Sequence, residues 1–194
     1  AILALRERPA KSLQFEVTPA DATVKLTDYA GAVITSNEGV YALTTANYIY
    51  TIEKAGYKTV YDTIRLTDAS AASTTMVITL AAIDSTDTGW DGITKTLEPA
   101  QEDGWFLIRS GYNLAWFAAR VNGGTYNIKG KLMNDINLCG HNWTPIGGNS
   151  STKAFKGQFD GQGHKITGFD GTGAGKFGLF GFASAATIKN FSID

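Results

Sequence analysis

From Trp143 to Phe180 the chain reads WTPIGGNSSTKAFKGQFDGQGHKITGFDGTGAGKFGLF, with glycine every few residues and short Phe- or Ile-centred apolar pieces between. That spacing matches neither the 3.6-residue period of a helix nor the steady alternation of one long strand. It matches short strands joined by tight turns and repeated, the pattern of a solenoid of stacked β-coils. A solenoid offers a surface more readily than an enclosed pocket, so the segment points to binding and display ahead of catalysis.

The rest of the chain narrows the class. At 194 residues it can hold one large domain or two small ones. A formal charge of -1 gives no general attraction to nucleic acid or to an acidic membrane. No stretch approaches the ~20 apolar residues of a membrane span, so no membrane insertion is expected. The opening AILALRERPA has neither an initiator Met nor a full signal peptide, which suggests a processed or trimmed piece. Cys139 is the single cysteine, which excludes an internal disulfide and a Cys-rich zinc site. One thiol suits the cytosol and a cysteine-poor secreted protein equally.

Composition divides the chain. Of 22 glycines, only Gly31, Gly39, Gly56, Gly89 and Gly92 precede residue 104. Between Asp84 and Asp103 lie Asp84, Asp87, Asp91, Glu98, Glu102 and Asp103 against Lys95 alone. From Gly104 on, nine Lys and Arg face only Asp135, Asp160, Asp170 and Asp194. The expected organisation is a first domain over 11–82, an acidic connector over 83–103 and a second domain over 104–194.

The first domain reads as all-β. Phe15–Val17, Thr23–Leu26, Val33–Ile34, Tyr41–Leu43, Tyr48–Glu53, Val60–Leu66 and Met76–Leu80 are short β-forming runs. Pro19-Ala20-Asp21, Tyr29-Ala30-Gly31 and Gly56 punctuate them. Tyr48, Tyr50 and Ile52 form one face of their strand and Ile49, Thr51 and Glu53 the other. Regularly spaced strands of this kind predict a small sandwich. Three pieces, Phe15-Glu16-Val17-Thr18-Pro19-Ala20-Asp21-Ala22-Thr23-Val24, Tyr48-Ile49-Tyr50-Thr51-Ile52 and Ala55-Gly56-Tyr57, resemble the PEGA-type β-sandwich modules of bacterial surface proteins. Such modules usually place Gly before the central strand, where this chain has Ala46-Asn47. Asn tolerates the left-handed conformation, so the turn is kept. The resemblance implies a spacer or binding accessory.

Gly104-Trp105-Phe106-Leu107-Ile108-Arg109 predicts a strand, and a helix over 110–122 follows. Ser110 is its N-cap; Leu114, Phe117, Ala118 and Val121 recur at i, i+3, i+4 and i+7; Asn122-Gly123-Gly124 ends it. An exposed solenoid end needs a cover, and this helix is expected to be that N-terminal cap. Trp116 projects nearly opposite the apolar stripe, free to pack on the connector or the first domain and, with Trp90 and Trp105, a hint that the domains dock. Segments 131–138, 155–161, 164–169, 177–181 and 187–193 then read as coil strands, with an insertion at 147–154. Ile136, Ile166 and Ile188 are expected at equivalent inward positions, and Asn134, Asn137 and Asn190 are expected to satisfy turn backbone.

Leu114-Ala115-Trp116-Phe117, Val121-Asn122-Gly123-Gly124, Asn134-Asp135-Ile136-Asn137-Leu138, Trp143-Thr144-Pro145-Ile146-Gly147, Phe155-Lys156-Gly157-Gln158-Phe159-Asp160-Gly161-Gln162-Gly163-His164 and Gly178-Leu179-Phe180-Gly181 occur in that order. The series resembles the GLUG-type, adhesin-like right-handed parallel β-helices of large bacterial cell-surface proteins. The resemblance implies extracellular display, often in adhesion or carbohydrate contexts, with no shared catalytic residues. With the chain stopping at Asp194 on what reads as an interior coil, a fragment of a longer protein is expected. The fold class is thus all-β: a small N-terminal β-sandwich, then the N-terminal coils of a right-handed parallel β-helix capped by one short α-helix.

Chemistry is sparse. Glycoside hydrolysis by the usual route needs two carboxyl groups at a set separation; the coil region has Asp135, Asp160 and Asp170 and no Glu. Asp160 beside Gly161 suits a turn and His164 a coil wall. His141 and His164 are the only histidines, and Cys139-x-His141 is not a structural zinc spacing. Asp84, Asp87, Asp91 and Asp103 suit calcium by ligand type, but a solvated acidic linker is expected instead. Cys139 is expected as a small buried hydrophobe. Gly171-Thr172-Gly173-Ala174-Gly175-Lys176 lacks the spacing of a phosphate loop. No catalytic residue, metal or cofactor is expected. The candidate ligand-binding residues are Trp90, Trp105, Tyr112 and Trp143, because exposed rings on a β-surface stack on sugars; the competing role of Trp105 and Trp143 is to plug the cap end of the core. The chain is therefore read as a monomeric, non-enzymatic module, secreted or on the bacterial cell surface, for adhesion or display towards a glycan or a host or cell-surface protein. The alternative is an accessory, non-catalytic region of a secreted polysaccharide-degrading enzyme or protease.

Overall fold

The computed structural model describes residues 10–84, 87, 89–148, 150–170 and 178–194. The 171–176 glycine run, Phe177 and the first nine residues lie outside them. The described residues form an all-β fold with one α-helix. Contacts group them into two compact units: the first reaches Ala82 apart from Ala55–Tyr57, and the second takes Ala55–Tyr57 and Ile83–Asp194. The acidic stretch 83–103 thus groups with the second unit.

The first unit holds two sheets. β1 (Lys11–Thr18) pairs antiparallel with β4 (Val40–Leu43) and parallel with β7 (Ser73–Thr79). β2 (Thr23–Asp28), β3 (Val33–Ile34), β5 (Asn47–Glu53) and β6 (Val60–Arg65) form an antiparallel sheet in the order β3-β2-β5-β6. Side chains alternate sides along a strand, and Tyr48, Tyr50 and Ile52 of β5 are accordingly buried. The ring of Phe15 on β1 lies 5.9 Å from Tyr41 on β4 and 5.3 Å from Tyr50 on β5, so both sheets feed one core.

The second unit is built from short parallel strands. β8 (Gln101–Glu102) runs antiparallel to β9 (Trp105–Ile108), which leads into α1 (Gly111–Asn122). β10 (Lys129–Leu132), β12 (Gln158–Asp160) and β14 (Thr187–Lys189) continue in parallel from β9 and align Phe106, Gly130, Phe159 and Ile188. A second parallel sheet of β11 (Ile136–Asn137), β13 (Lys165–Thr167) and β15 (Ser192–Ile193) aligns Ile136, Ile166 and Ile193. Isolated parallel bridges join Ile146 to Phe180 and Phe155 to Ala183. Ile188 therefore does not follow Ile136 and Ile166, as the sequence suggested. Only Asn190 and Phe191 separate β14 from β15, so Ile188 stays with Phe159, and Ile193, 42% exposed, takes the ladder place beside Ile166 but not the inward position expected there.

Rings form the core of this unit. Phe117 of α1 is fully buried, 6.4 Å from Phe106, 5.9 Å from Phe155 and 6.0 Å from Phe159. Phe180 extends the column, 5.4 Å from Phe155 and 5.2 Å from Phe159. Gly130 makes room for it: a Cβ there would lie 2.8 Å from the Phe117 ring. Trp116 is half-buried and packs on Phe106, with ring centroids 5.0 Å apart.

Candidate ligand-binding groove

The start of α1 is fixed by local hydrogen bonds. Ser110 Oγ accepts from the Asn113 amide at 3.3 Å, as an N-cap does. Asn113 in turn accepts from the Arg109 amide and donates from Nδ2 to the Leu97 carbonyl, both at 3.1 Å. So oriented, α1 buries Leu114, Phe117 and Val121. An adjoining stripe, Ala115, Ala118, Ala119 and Asn122, follows the same i, i+3, i+4, i+7 spacing with small side chains.

That stripe lines a cavity of about 130 Å³, closed by Trp90, Trp143, Thr144 and Lys95. The two indoles meet edge to face, with centroids 5.5 Å apart. Their N–H groups are used internally: Trp90 Nε1 donates to the Thr94 carbonyl at 2.8 Å and Trp143 Nε1 to the Leu179 carbonyl at 3.1 Å. The rings thus present carbon to the cavity. Asn122 anchors the far wall, donating to the Pro145 carbonyl and accepting from the Gly147 amide, both at 3.0 Å. A wider depression of about 330 Å³, lined by Asn122, Thr144, Gly148, Ser150 and Lys153, shares two of those residues. The two adjoin at Asn122 and Thr144 and are treated together as one groove, with the alanine stripe and the two indoles at one end and Ser150 and Lys153 at the other.

The acidic stretch shapes its rim. Asp91 Oδ1 accepts from the Ile93 and Thr94 amides and its Oδ2 from Thr94 Oγ1 at 2.6 Å, a turn that precedes the exposed Lys95. Among the described residues, Lys95 and Lys153 are the only charged side chains lining the groove.

The structure brings two of the four expected aromatic residues to this groove. Trp90 and Trp143 are 3% and 7% exposed, and Tyr112 is 1% exposed in the adjoining core. Rings so enclosed have no free face to lay on a sugar. Trp105 lies apart on β9, half-buried, with the Lys129 ammonium 5.8 Å from its ring centroid. The groove residues Lys95, Ala115, Ala118, Ala119, Asn122, Thr144 and Lys153 were not legible as a site; the alanine stripe beside the core stripe is the one signal that could have marked it.

Other chemistry-bearing side chains are tied to turns. Asp160 Oδ1 accepts from the Gln162 amide at 3.0 Å and from Asn190 Nδ2 at 3.1 Å, and Lys189 lies 3.4 Å from its Oδ2. Burial works against the Asp160 charge, but these bonds outweigh it and hold the carboxyl below its ordinary range. Asp135 is also lowered, first by the Lys165 amide and then by His164, whose Nδ1 lies 3.1 Å away. Asn134 Nδ2 donates to the Arg109 carbonyl, and Asn137 Oδ1 accepts from the Cys139 amide. Cys139 itself is exposed, with a φ of 56°, where the sequence suggested a buried hydrophobe; its place in the turn after β11 holds it outside the core. Among the described residues, no group of three His, Cys, Asp or Glu is placed to hold a metal ion, and no helix is long and apolar enough to cross a membrane. No protein-family model, curated protein or solved structure matches the chain.

Proposed function

We propose that the chain is a non-enzymatic extracellular module, secreted or displayed on a bacterial cell surface, in which a PEGA-type β-sandwich precedes the first coils of a GLUG-type right-handed parallel β-helix covered by α1. The observation that carries this reading is the pair of parallel ladders through Phe106, Gly130, Phe159 and Ile188 and through Ile136, Ile166 and Ile193. Their partners recur at intervals fit for stacked coils, each coil giving one strand to each sheet. Such a stack supports an extended surface. Its carboxylates at Asp135 and Asp160 are spent on turn hydrogen bonds, which favours adhesion or display over catalysis.

The test is retention of partners by the whole chain. Immobilised glycans and cell-surface proteins are probed with it, and captured partners are assayed for turnover. Reversible retention of one class, with the partner unchanged, is expected. Release of reducing ends or cleavage of a captured protein would sink the reading.

A further inference from the structure

We propose that the groove beside α1 binds a protein partner, taking one short aliphatic side chain, of Val or Leu size, flanked by carboxylates. The inference rests on reading the chain as a binding module and names the chemistry of what it binds.

Size sets the first requirement. The apolar end holds about 130 Å³, a little less than the roughly 150 Å³ cavity that accommodates benzene. A branched aliphatic group fits there and an indole does not. The walls set the second. Ala115, Ala118, Ala119 and the carbon edges of Trp90 and Trp143 offer no hydrogen bond from their side chains, since both indole N–H groups are engaged internally. With the rings 3% and 7% exposed, the site lacks the open ring face on which a sugar stacks and suits an inserted apolar side chain.

Charge sets the third. Lys95 stands at the apolar end and Lys153 along the extension, with no acid among the described residues that line either part. Of the two acids nearest Lys95 in sequence, Asp91 is held in its turn by three hydrogen bonds and the exposed Glu98 is not among the residues that line the groove. An aliphatic residue between two acids places apolar and anionic groups in the order in which the groove presents their complements.

Capped hexapeptides with a central Leu flanked by Asp, the same peptide flanked by Lys, one with central Trp flanked by Asp, and glucuronic acid are titrated into the 15N-labelled chain. The Asp-flanked Leu peptide is expected to shift the amide signals of Ala115, Ala118, Ala119 and Thr144 and the indole signals of Trp90 and Trp143; the other three are not. Ala119→Leu fills the half-buried mouth and Lys95→Glu reverses its charge, and each should weaken binding at least tenfold with the melting temperature unchanged. The proposal falls if no groove signal moves at millimolar peptide, if the Lys-flanked peptide or glucuronic acid binds as well, or if Ala119→Leu binds normally. A partner retained in the binding panel but mapped away from these signals overturns this inference and leaves the display reading standing; groove shifts with turnover of a captured partner do the reverse.

Discussion

The second unit uses glycine for a purpose that the first does not. In the first, Gly31 and Gly39 have φ of 89° and 80° and nothing within 4 Å of where a Cβ would stand. They are there to turn the chain. In the second, Gly130 and Gly157 have no positive φ, yet a Cβ would strike the Phe117 ring at the one and overlap the Ile128 carbonyl at the other. They are there to let neighbouring chain segments touch. The strands differ in the same sense. A seven-residue strand such as β5 carries its own alternating core face, whereas β11 and β13 contribute one buried isoleucine each and build the core only by stacking.

The largest break in that comparison comes from Phe117→Ala. Removing a fully buried ring that meets three others should cost about 3–5 kcal/mol, measured by urea denaturation. Hydrogen exchange at β10 and β12 should accelerate with it. Tyr50→Ala in the first unit removes a ring that meets Phe15 and should cost less. A loss below about 1 kcal/mol for Phe117→Ala would mean that the stack does not depend on its ring column.

The glycines sharpen the contrast. Gly157→Ala forces backbone apart and should cost about 3 kcal/mol, while Gly39→Ala strains only a left-handed residue in open space and should cost about 1 kcal/mol. Denaturation of the two variants side by side decides it: if Gly39→Ala is the worse, the assignment of turning and packing roles is reversed. Smaller again is Ser110→Ala, which removes the N-cap acceptor of α1 and should cost about 1 kcal/mol. An unchanged midpoint would show that Asn113 and its bonds alone hold the helix start.

This contrast also explains what the sequence made visible. Alternation within a strand is a local signal, so every strand of the first unit was found, though β1 and β7 begin at Lys11 and Ser73, before the expected runs, and α1 was found from Ser110 and its apolar stripe. Stacking is not local. Nothing in the residues around Ile188 tells that it lies beside Phe159 and that Ile193 lies beside Ile166, because the short corner at Asn190–Phe191 decides it. The acidic stretch looked like a solvated linker by charge alone, yet its Trp90 is 3% exposed and its Asp91 is bound into a turn. The groove was silent because alanines mark a space by what they lack, and only the folded helix puts Ala115, Ala118 and Ala119 opposite Trp90 and Trp143.

The finest contrast between the units is electrostatic. Asp21 in the first unit has its carboxyl lowered by the hydrogen bond from Lys54 and is fully exposed, whereas Asp160 in the second is lowered by the Gln162 amide, Asn190 and Lys189 against opposing burial. A carboxyl lowered on folding adds stability above its unfolded pKa and loses it as pH falls through the folded one. Both contributions should therefore be present at neutral pH and fade below the ordinary value of 3.8. Salt separates them, because it screens an exposed ion pair far more than a carboxylate held by amide donors. Asp160→Asn should flatten the acid limb of the stability profile at low and high salt alike, and Asp21→Asn should flatten it only at low salt. If the Asp160→Asn effect also disappears in salt, the turn is held by Lys189 and not by the Gln162 amide and Asn190, and the corner between β12 and β13 depends on charge instead of geometry.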